Sequence, residues 1–224
     1  MKVRLISYSR PSEEMISEGL EDVQDLIAYC ARVSNPSNQL NTATSDKLIQ
    51  YLVKHQHWSP LECASACMEI TTTRDIARQI LRHRSFSFQE FSQRYADPTK
   101  DLDFVVREAR LQDYKNRQNS IKVDLSREED RDLTLEWVNR QEKLIDLAKE
   151  TYKWAVDNGI AKEQARVVLP EGNTVSRMYM SGSLRSWVHY ISLRKGNETQ
   201  LEHRQIAVNC ASVIAQIFPM IHTL

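Results

Sequence analysis

The 224-residue sequence predicts an α+β fold: a single domain with a small, mostly antiparallel sheet flanked by long helices. Three observations carry that expectation. Apolar and polar residues alternate over residues 2–8, 62–72 and 174–181, which reads as three strands. Between and after them, apolar residues recur at helical spacing, most extensively over the thirty or so positions that precede Asn158-Gly159. The five glycines (19, 159, 172, 182, 196) form neither a Gly-x-Gly-x-x-Gly fingerprint nor a P-loop. That excludes a Rossmann domain, so a bound nucleotide has to be held by side chains and helix ends.

Taken in order, Lys2 to Tyr8 is the first strand. Residues 21–32 form a helix with Val23, Leu26, Ile27 and Cys30 on its apolar face, followed by the loop Asn35-Pro36-Ser37-Asn38. Ser45 is placed to cap the next helix, whose buried stripe is Leu48, Ile49, Leu52 and Val53. That helix closes at His55-Gln56-His57-Trp58-Ser59-Pro60. A strand over 62–72 (Ala64, Ala66, Met68, Ile70) leads into a helix capped by Thr73 and carrying Ile76, Ile80 and Leu81. Arg74, Arg78 and Arg82 line one side of it at i, i+4, i+8. Ser85-Phe86-Ser87-Phe88 alternates and reads as extended. Residues 102–125 are polar and weakly periodic, an irregular region with a short helix.

Ser126-Arg127-Glu128-Glu129 has the form of a capping box. It opens the long helix bearing Leu133, Trp137, Leu144, Leu147, Ala148 and Tyr152, a stripe that belongs to the core or to a subunit interface. A short helix over 161–169 is stopped by Pro170, a strand follows at 174–181, then a helix over 184–195 closed by Gly196. The last helix, over 199–218, buries Leu201, Ile206, Val213, Ile214 and Ile217.

Composition narrows the function. Thirty basic and thirty acidic residues give zero formal net charge, which argues against a bulk nucleic-acid or membrane-surface binder. No apolar run reaches the length of a membrane span, and the N-terminus turns charged too early for a signal peptide, so a cytoplasmic location is expected (host cytoplasm for a viral source). The cysteines (30, 63, 67, 210) contain no Cys-x-x-Cys pair; free thiols and no metal are expected.

The chemistry concentrates in residues 73–95, with five arginines, no lysine and two acids, Asp75 and Glu90. Guanidinium forks grip phosphates or carboxylates through paired bonds, which points to an anionic ligand. Within it, Arg82-His83-Arg84, seven residues, Ser92, Gln93, Arg94 matches the signature of flavin-dependent thymidylate synthases at all five fixed positions. Other blocks are similar to that family: Ala31-Arg32-Val33-Ser34; His57, Ser59, Pro60, Leu61, Glu62; Ala165-Arg166-Val167-Val168-Leu169-Pro170; and Ser183-Leu184-Arg185, His189, Leu193-Arg194. Two positions depart from it. Ser183 stands where relatives carry Asn, and Glu198 where many carry His.

The resemblance implies reductive methylation of dUMP to dTMP, with 5,10-methylenetetrahydrofolate as carbon donor and FAD reduced by NADPH. It assigns activation of the pyrimidine to Arg194, and substrate binding to Gln79, Arg82, Glu90, Phe91, Ser92, Gln93, Arg94, Arg166 and Arg194. It assigns FAD to Ser34, His57, Ser59, Arg82, His83, Arg84, Ser85, Glu90, Ser183, Leu184, Arg185 and His189, with Ser183, Arg185 and His189 from another subunit of a homotetramer. No cysteine sits in a recognisable nucleophile setting, which agrees with a route that activates the ring by charge rather than by sulfur. The rivals are a single-strand nucleic-acid-binding module using the arginines and phenylalanines, and a flavoprotein of the same fold with another pyrimidine substrate.

Overall fold

A computed structural model describes residues 1–222. The chain opens with β1 (Lys2–Tyr8), α1 (Glu13–Ser17), α2 (Val23–Ala31) and α3 (Ser45–Lys54). β2 (Ser65–Thr73) then passes straight into α4 (Arg74–Ile80), followed by β3 (Ser87–Glu90) and α5 (Pro98–Asp101). A hairpin, β4 (Arg110–Gln112) and β5 (Ser120–Lys122), precedes α6 (Glu128–Asp157) and α7 (Lys162–Ala165). β6 (Val175–Ser183) runs straight into α8 (Leu184–Arg194), and α9 (Leu201–Ile214) follows. No helix among the described residues is long and apolar enough to cross a membrane.

The four-stranded sheet has the order β1-β2-β6-β3, with every pair antiparallel. The expected α+β class and its antiparallel sheet are present. Alternation decides which face is buried. Ala66, Met68 and Ile70 of β2 lie opposite Gly182, Met180 and Met178 of β6. Ala66, Met68, Ile70, Met178 and Met180 join Val23 and Ile27 of α2, Ile76 and Ile80 of α4, Trp187 and Ile191 of α8, and Ile206 and Cys210 of α9 in one core. Each such large side chain, fully buried, contributes about 1.5–3 kcal/mol. Trp187 satisfies its one polar atom by donating Nε1–H to Ala66 O at 3.0 Å.

β2 and β6 pair from Ser65↔Ser183 to Thr73↔Val175, so α4 and α8 leave opposite ends of the same ladder. This places two helix starts and two helix ends around the sheet.

Several local expectations differ from the structure. Ser45 is the first helical residue of α3 rather than its cap, and its hydroxyl donates to Asp25 Oδ1 at 2.7 Å, joining α3 to α2. Ser126 does not cap α6: Arg127 holds that position, and Ser126 Oγ donates instead to Asp124 Oδ1 at 2.7 Å. A nearby carboxylate is the stronger acceptor and outcompetes the box. Thr73 stands at the cap of α4, but its hydroxyl donates to Asp75 Oδ1 at 2.6 Å. α4 ends at Ile80, so Arg82 falls outside the helix and leaves the row begun by Arg74 and Arg78. Residues 102–125 hold the β4–β5 hairpin and no helix; α5 lies before them. Residues 59–63 form a 3-10 turn, so β2 starts later than the alternation suggested. The five-residue α1 has no counterpart in the sequence reading.

The 30-residue α6 spans about 45 Å. Tyr152 and Ala155 pack with Ala165 and Leu169 in a second, small core. Gln141 ties its middle to the loop before β4, accepting Arg107 N–H at 2.9 Å and donating to Arg107 O at 2.9 Å. Leu133, Trp137, Leu144 and Leu147 are exposed in the protomer, which removes the core alternative for that part of the stripe.

Candidate functional site

The expected site residues form three groups. The first lies where α4 ends, α8 ends and α9 begins. Arg194, the last residue of α8, donates Nε–H to His83 Nε2 at 2.9 Å. Burial, reinforced by the Arg194 and Arg82 charges, pushes His83 from its ordinary 6.5 down to about 4. His83 is therefore neutral at physiological pH and accepts from a guanidinium, which spends one N–H on it and keeps the rest of the fork. Gln79 joins this group through Gln200 and His203 of the segment entering α9.

The second group surrounds a cavity of about 440 Å³ lined by Arg74, Arg78, Gln93, Arg166, Glu163 and Glu171, with Gln164, Val167 and Leu169. Glu90, at the end of β3, faces Arg74 Nη1 at 3.6 Å and Arg78 Nη1 at 3.5 Å, and accepts from Ser176 Oγ at 2.8 Å. Glu171 stands at 3.7 Å from Arg74 Nε and 3.9 Å from Arg78 Nε. Gln93 is only 3 % exposed, and among the described residues its Nε2 has no hydrogen-bond partner. An unpaired buried amide costs stability, so its N–H is available to an acceptor in this cavity. Arg94 lies beside this group, with Nε 3.5 Å from Glu163 Oε2, and Ser92 Oγ accepts Arg94 N–H at 3.4 Å. Phe91 is half-buried and donates its N–H to Arg177 O at 2.8 Å.

The third group sits at the start of α8. Ser183 caps that helix by accepting Ser186 N–H at 3.2 Å, so the residue standing in place of Asn keeps the cap. Arg185 Nη1 meets Glu62 Oε1 at 2.7 Å, and hydrogen bonding from Ser183 and Arg185 holds the Glu62 carboxyl below its usual range. His189 lies one turn further along α8, its ring 4.4 Å from Trp58. Ser186 Oγ donates to Ser85 O at 3.3 Å, tying the Arg82–Ser85 segment to α8. Arg82 and Arg84 are exposed, and among the described residues neither guanidinium has a hydrogen-bond or ion-pair partner. Ser34, His57 and Ser59 are exposed on the loops after α2 and α3, with His57 6.2 Å from the Tyr51 ring. Leu184 is 1 % exposed and gives its N–H to Ala64 O at 2.8 Å, so neither group is free for a ligand. Exposed, unpaired guanidiniums suit an anionic ligand, and the Trp58 and His189 rings, tilted 56° to one another, give this group aromatic surface.

No hydrogen bond or ion pair among the described residues joins Arg94 or Arg166 to Arg194. Sequence reasoning did not assign Arg74, Arg78, Glu163 and Glu171 to the second group, nor Trp58 and Glu62 to the third, nor Gln200 and His203 to the first. The i, i+4 pair Arg74 and Arg78 carried a signal; Glu163, Gln200 and His203 carried none. Cys210 is fully buried and burial raises its thiol far above the usual range; burial also raises Cys30 and Cys67. These three thiols stay protonated and are poor nucleophiles.

Comparison with known proteins places the chain. The family model described as thymidylate synthase complementing protein matches residues 15–220. The chain is 46% identical over 221 residues to a probable flavin-dependent thymidylate synthase of Paramecium bursaria Chlorella virus 1, covering 99% of this chain and 97% of that one. It is 45% identical over 222 residues to the flavin-dependent thymidylate synthase of Synechocystis sp., with 99% and 97% covered. Among solved structures it resembles a UMP/dUMP methylase, PolB, from Streptomyces cacaoi bound with 5-Br UMP, at TM-score 0.80 and 25% identity, covering 99% of this chain and 92% of that one. On this match, which spans nearly the whole chain and includes every block noted above, the protein belongs to the flavin-dependent thymidylate synthase family of methyltransferases.

Proposed function

We propose that the enzyme methylates dUMP to dTMP, taking the carbon from 5,10-methylenetetrahydrofolate and the hydride from FAD reduced by NADPH, with Arg194 activating the pyrimidine. The observation that carries this reading is the Arg194–His83 bond of 2.9 Å, made to a ring that burial keeps neutral. It holds a guanidinium in one orientation without neutralising it. Such a charge beside N3 and its neighbouring carbonyl stabilises an ionised uracil ring and enriches C5 in electrons. The protonated state of Cys30, Cys67 and Cys210 supports a route without a sulfur nucleophile.

Arg82 and Gln79 stand beside Arg194 and bind the nucleotide from that side. Arg166, Arg94, Ser92 and the unpaired Gln93 amide serve its phosphate and sugar, with Glu90 and Phe91 closing that wall. No hydrogen bond or ion pair among the described residues joins the two sets, and the exposed leucines and tryptophans of α6 supply apolar surface for assembly, which supports a site completed between subunits of a homotetramer.

The third group fits FAD by its donors. Arg84 and Arg185 offer charge to a diphosphate, Ser183 offers its hydroxyl, and His83, His189, Ser85, Ser34, His57 and Ser59 line its approach. Bound FAD, reduced by NADPH, supplies the hydride that turns the transferred carbon into a methyl group.

The test is incubation with FAD, NADPH, methylenetetrahydrofolate and dUMP, following dTMP. Arg194→Ala is expected to keep flavin absorbance and melting temperature while losing about 10²–10³ in turnover, the usual cost of one preorganised donor. Near-normal dTMP formation by that variant, or wild-type protein that stays colourless with added FAD, overturns the reading.

A further inference from the structure

Behind Gln79 runs a chain of polar groups, half-buried at Gln79 and Gln200 and buried at Glu202, His203 and Tyr190, that the reaction leaves unassigned. Its far end is Glu202 in the first turn of α9, whose side chain is 12% exposed and whose Oε1 is clamped by Arg110 of β4. Glu202 Oε2 accepts from Gln200 Nε2 at 2.9 Å. Gln200 Oε1 accepts from Gln79 Nε2 at 2.8 Å. Gln79 Oε1 lies 3.3 Å from His203 Nδ1, and His203 Nε2 lies 3.1 Å from the Tyr190 hydroxyl. His203 is fully buried.

An ionised carboxylate can only accept. Gln200 must therefore turn its NH₂ to Glu202 and its carbonyl to Gln79. Gln79 must then donate to Gln200 and turn its own carbonyl to His203. An amide carbonyl only accepts, so His203 carries its proton on Nδ1 and takes the Tyr190 O–H at Nε2. Reversing one amide alone sets acceptor against acceptor or donor against donor, and the buried His203 or Glu202 at the end of the row is left facing a like group. One charge thus sets the direction of every bond in the row. The Nδ1–H form is the minor tautomer of imidazole in water, so its presence here requires the row behind it.

We propose that Glu202 is a positioning residue: through Gln200 it fixes the amide sense of Gln79 and the tautomer of His203, so that Gln79 meets the nucleotide as donor and acceptor in one arrangement. The consequence for catalysis rests on the reading that Gln79 contacts the nucleotide; the tautomer does not.

The experiment is ¹⁵N spectroscopy of histidine-labelled enzyme, with His203→Gln identifying the resonance, alongside steady-state kinetics. Wild type is expected to show a protonated Nδ1 at His203. Glu202→Gln can donate to Gln200 and reverse the row, moving the His203 proton to Nε2. Its KM for dUMP is expected to rise about tenfold, the worth of roughly one hydrogen bond, with kcat changed far less. Gln200→Leu leaves the Glu202–Arg110 pair in place and cuts the link, so it covers the case in which Glu202→Gln does not fold; loss of the single Nδ1–H signal and the same rise in KM are expected. His203 retaining Nδ1–H in a folded variant overturns the proposal, as does a switched tautomer with wild-type KM. Gln79→Leu separates the two readings: wild-type KM there refutes the Gln79 contact, while the tautomer result still judges the polarity of the row.

Discussion

His83 and His203 show how burial sets charge one residue at a time. Burial is the first cause in both, and the Arg194 guanidinium the next; together they lower each ring from 6.5 to about 4. In the folded protein both stay neutral until pH falls near 4, whereas in the unfolded chain both protonate below about 6.5. The unfolded state thus binds more protons across that window. Stability is full above pH 6.5 and falls as pH drops from about 6.5 toward 4. Thermal melts across that range are expected to show a declining melting temperature, and His203→Gln is expected to flatten the slope. An unchanged slope in that variant would place the titration elsewhere. His83 was legible because it sits inside a fixed motif. His203 was not, because what singles it out is its contact with Tyr190 and Gln79, from 13 and 124 residues away.

At the level of elements, the strand-to-helix junctions position the site. β6 ends at Ser183 and α8 begins at the next residue, so Ser183, Arg185 and His189 project from a helix start fixed to the sheet. The junction is tight: a Cβ on Gly182 would sit 2.5 Å from Phe86 Cδ1. Phe86 cannot easily yield, since its ring packs edge-on against Trp187 at 4.8 Å. Gly182→Ala is expected to destabilise the fold by about 1–3 kcal/mol, read as a melting temperature lower by several degrees. An unchanged melt would mean that Phe86 has a second place to go. The alternation and helical periods that located β2, β6 and α8 are local signals. The Ser126 box misled because its hydroxyl had a second acceptor, Asp124, whose carboxylate the fold turns toward it.

At the level of the whole molecule, Arg194 is held by His83, while Arg166 lines a cavity that does not include either of them. A site shared between subunits predicts complementation. Arg194→Ala and Arg166→Ala enzymes, each inactive alone, are expected to regain activity when co-assembled, with about one site in four intact under random mixing. Mixed assemblies that stay inactive would argue for a site within one chain. The exposed Leu133, Leu144, Leu147 and Trp154 of α6 are the surface such assembly would cover.

The fold class, the strands β1, β2 and β6, most helices and the arginine-rich motif could be read from the chain, because each depends on residues within a few positions of one another: two-residue or 3.6-residue periodicity, or a string of fixed types. The different partners of the arginines, the neutral state of His83 and the directed row from Glu202 to Tyr190 came only with the tertiary structure. They depend on which side chains are buried and which distant atoms they meet, and a guanidinium, an amide or an imidazole looks the same in the sequence whether it faces water, an acid or an empty cavity.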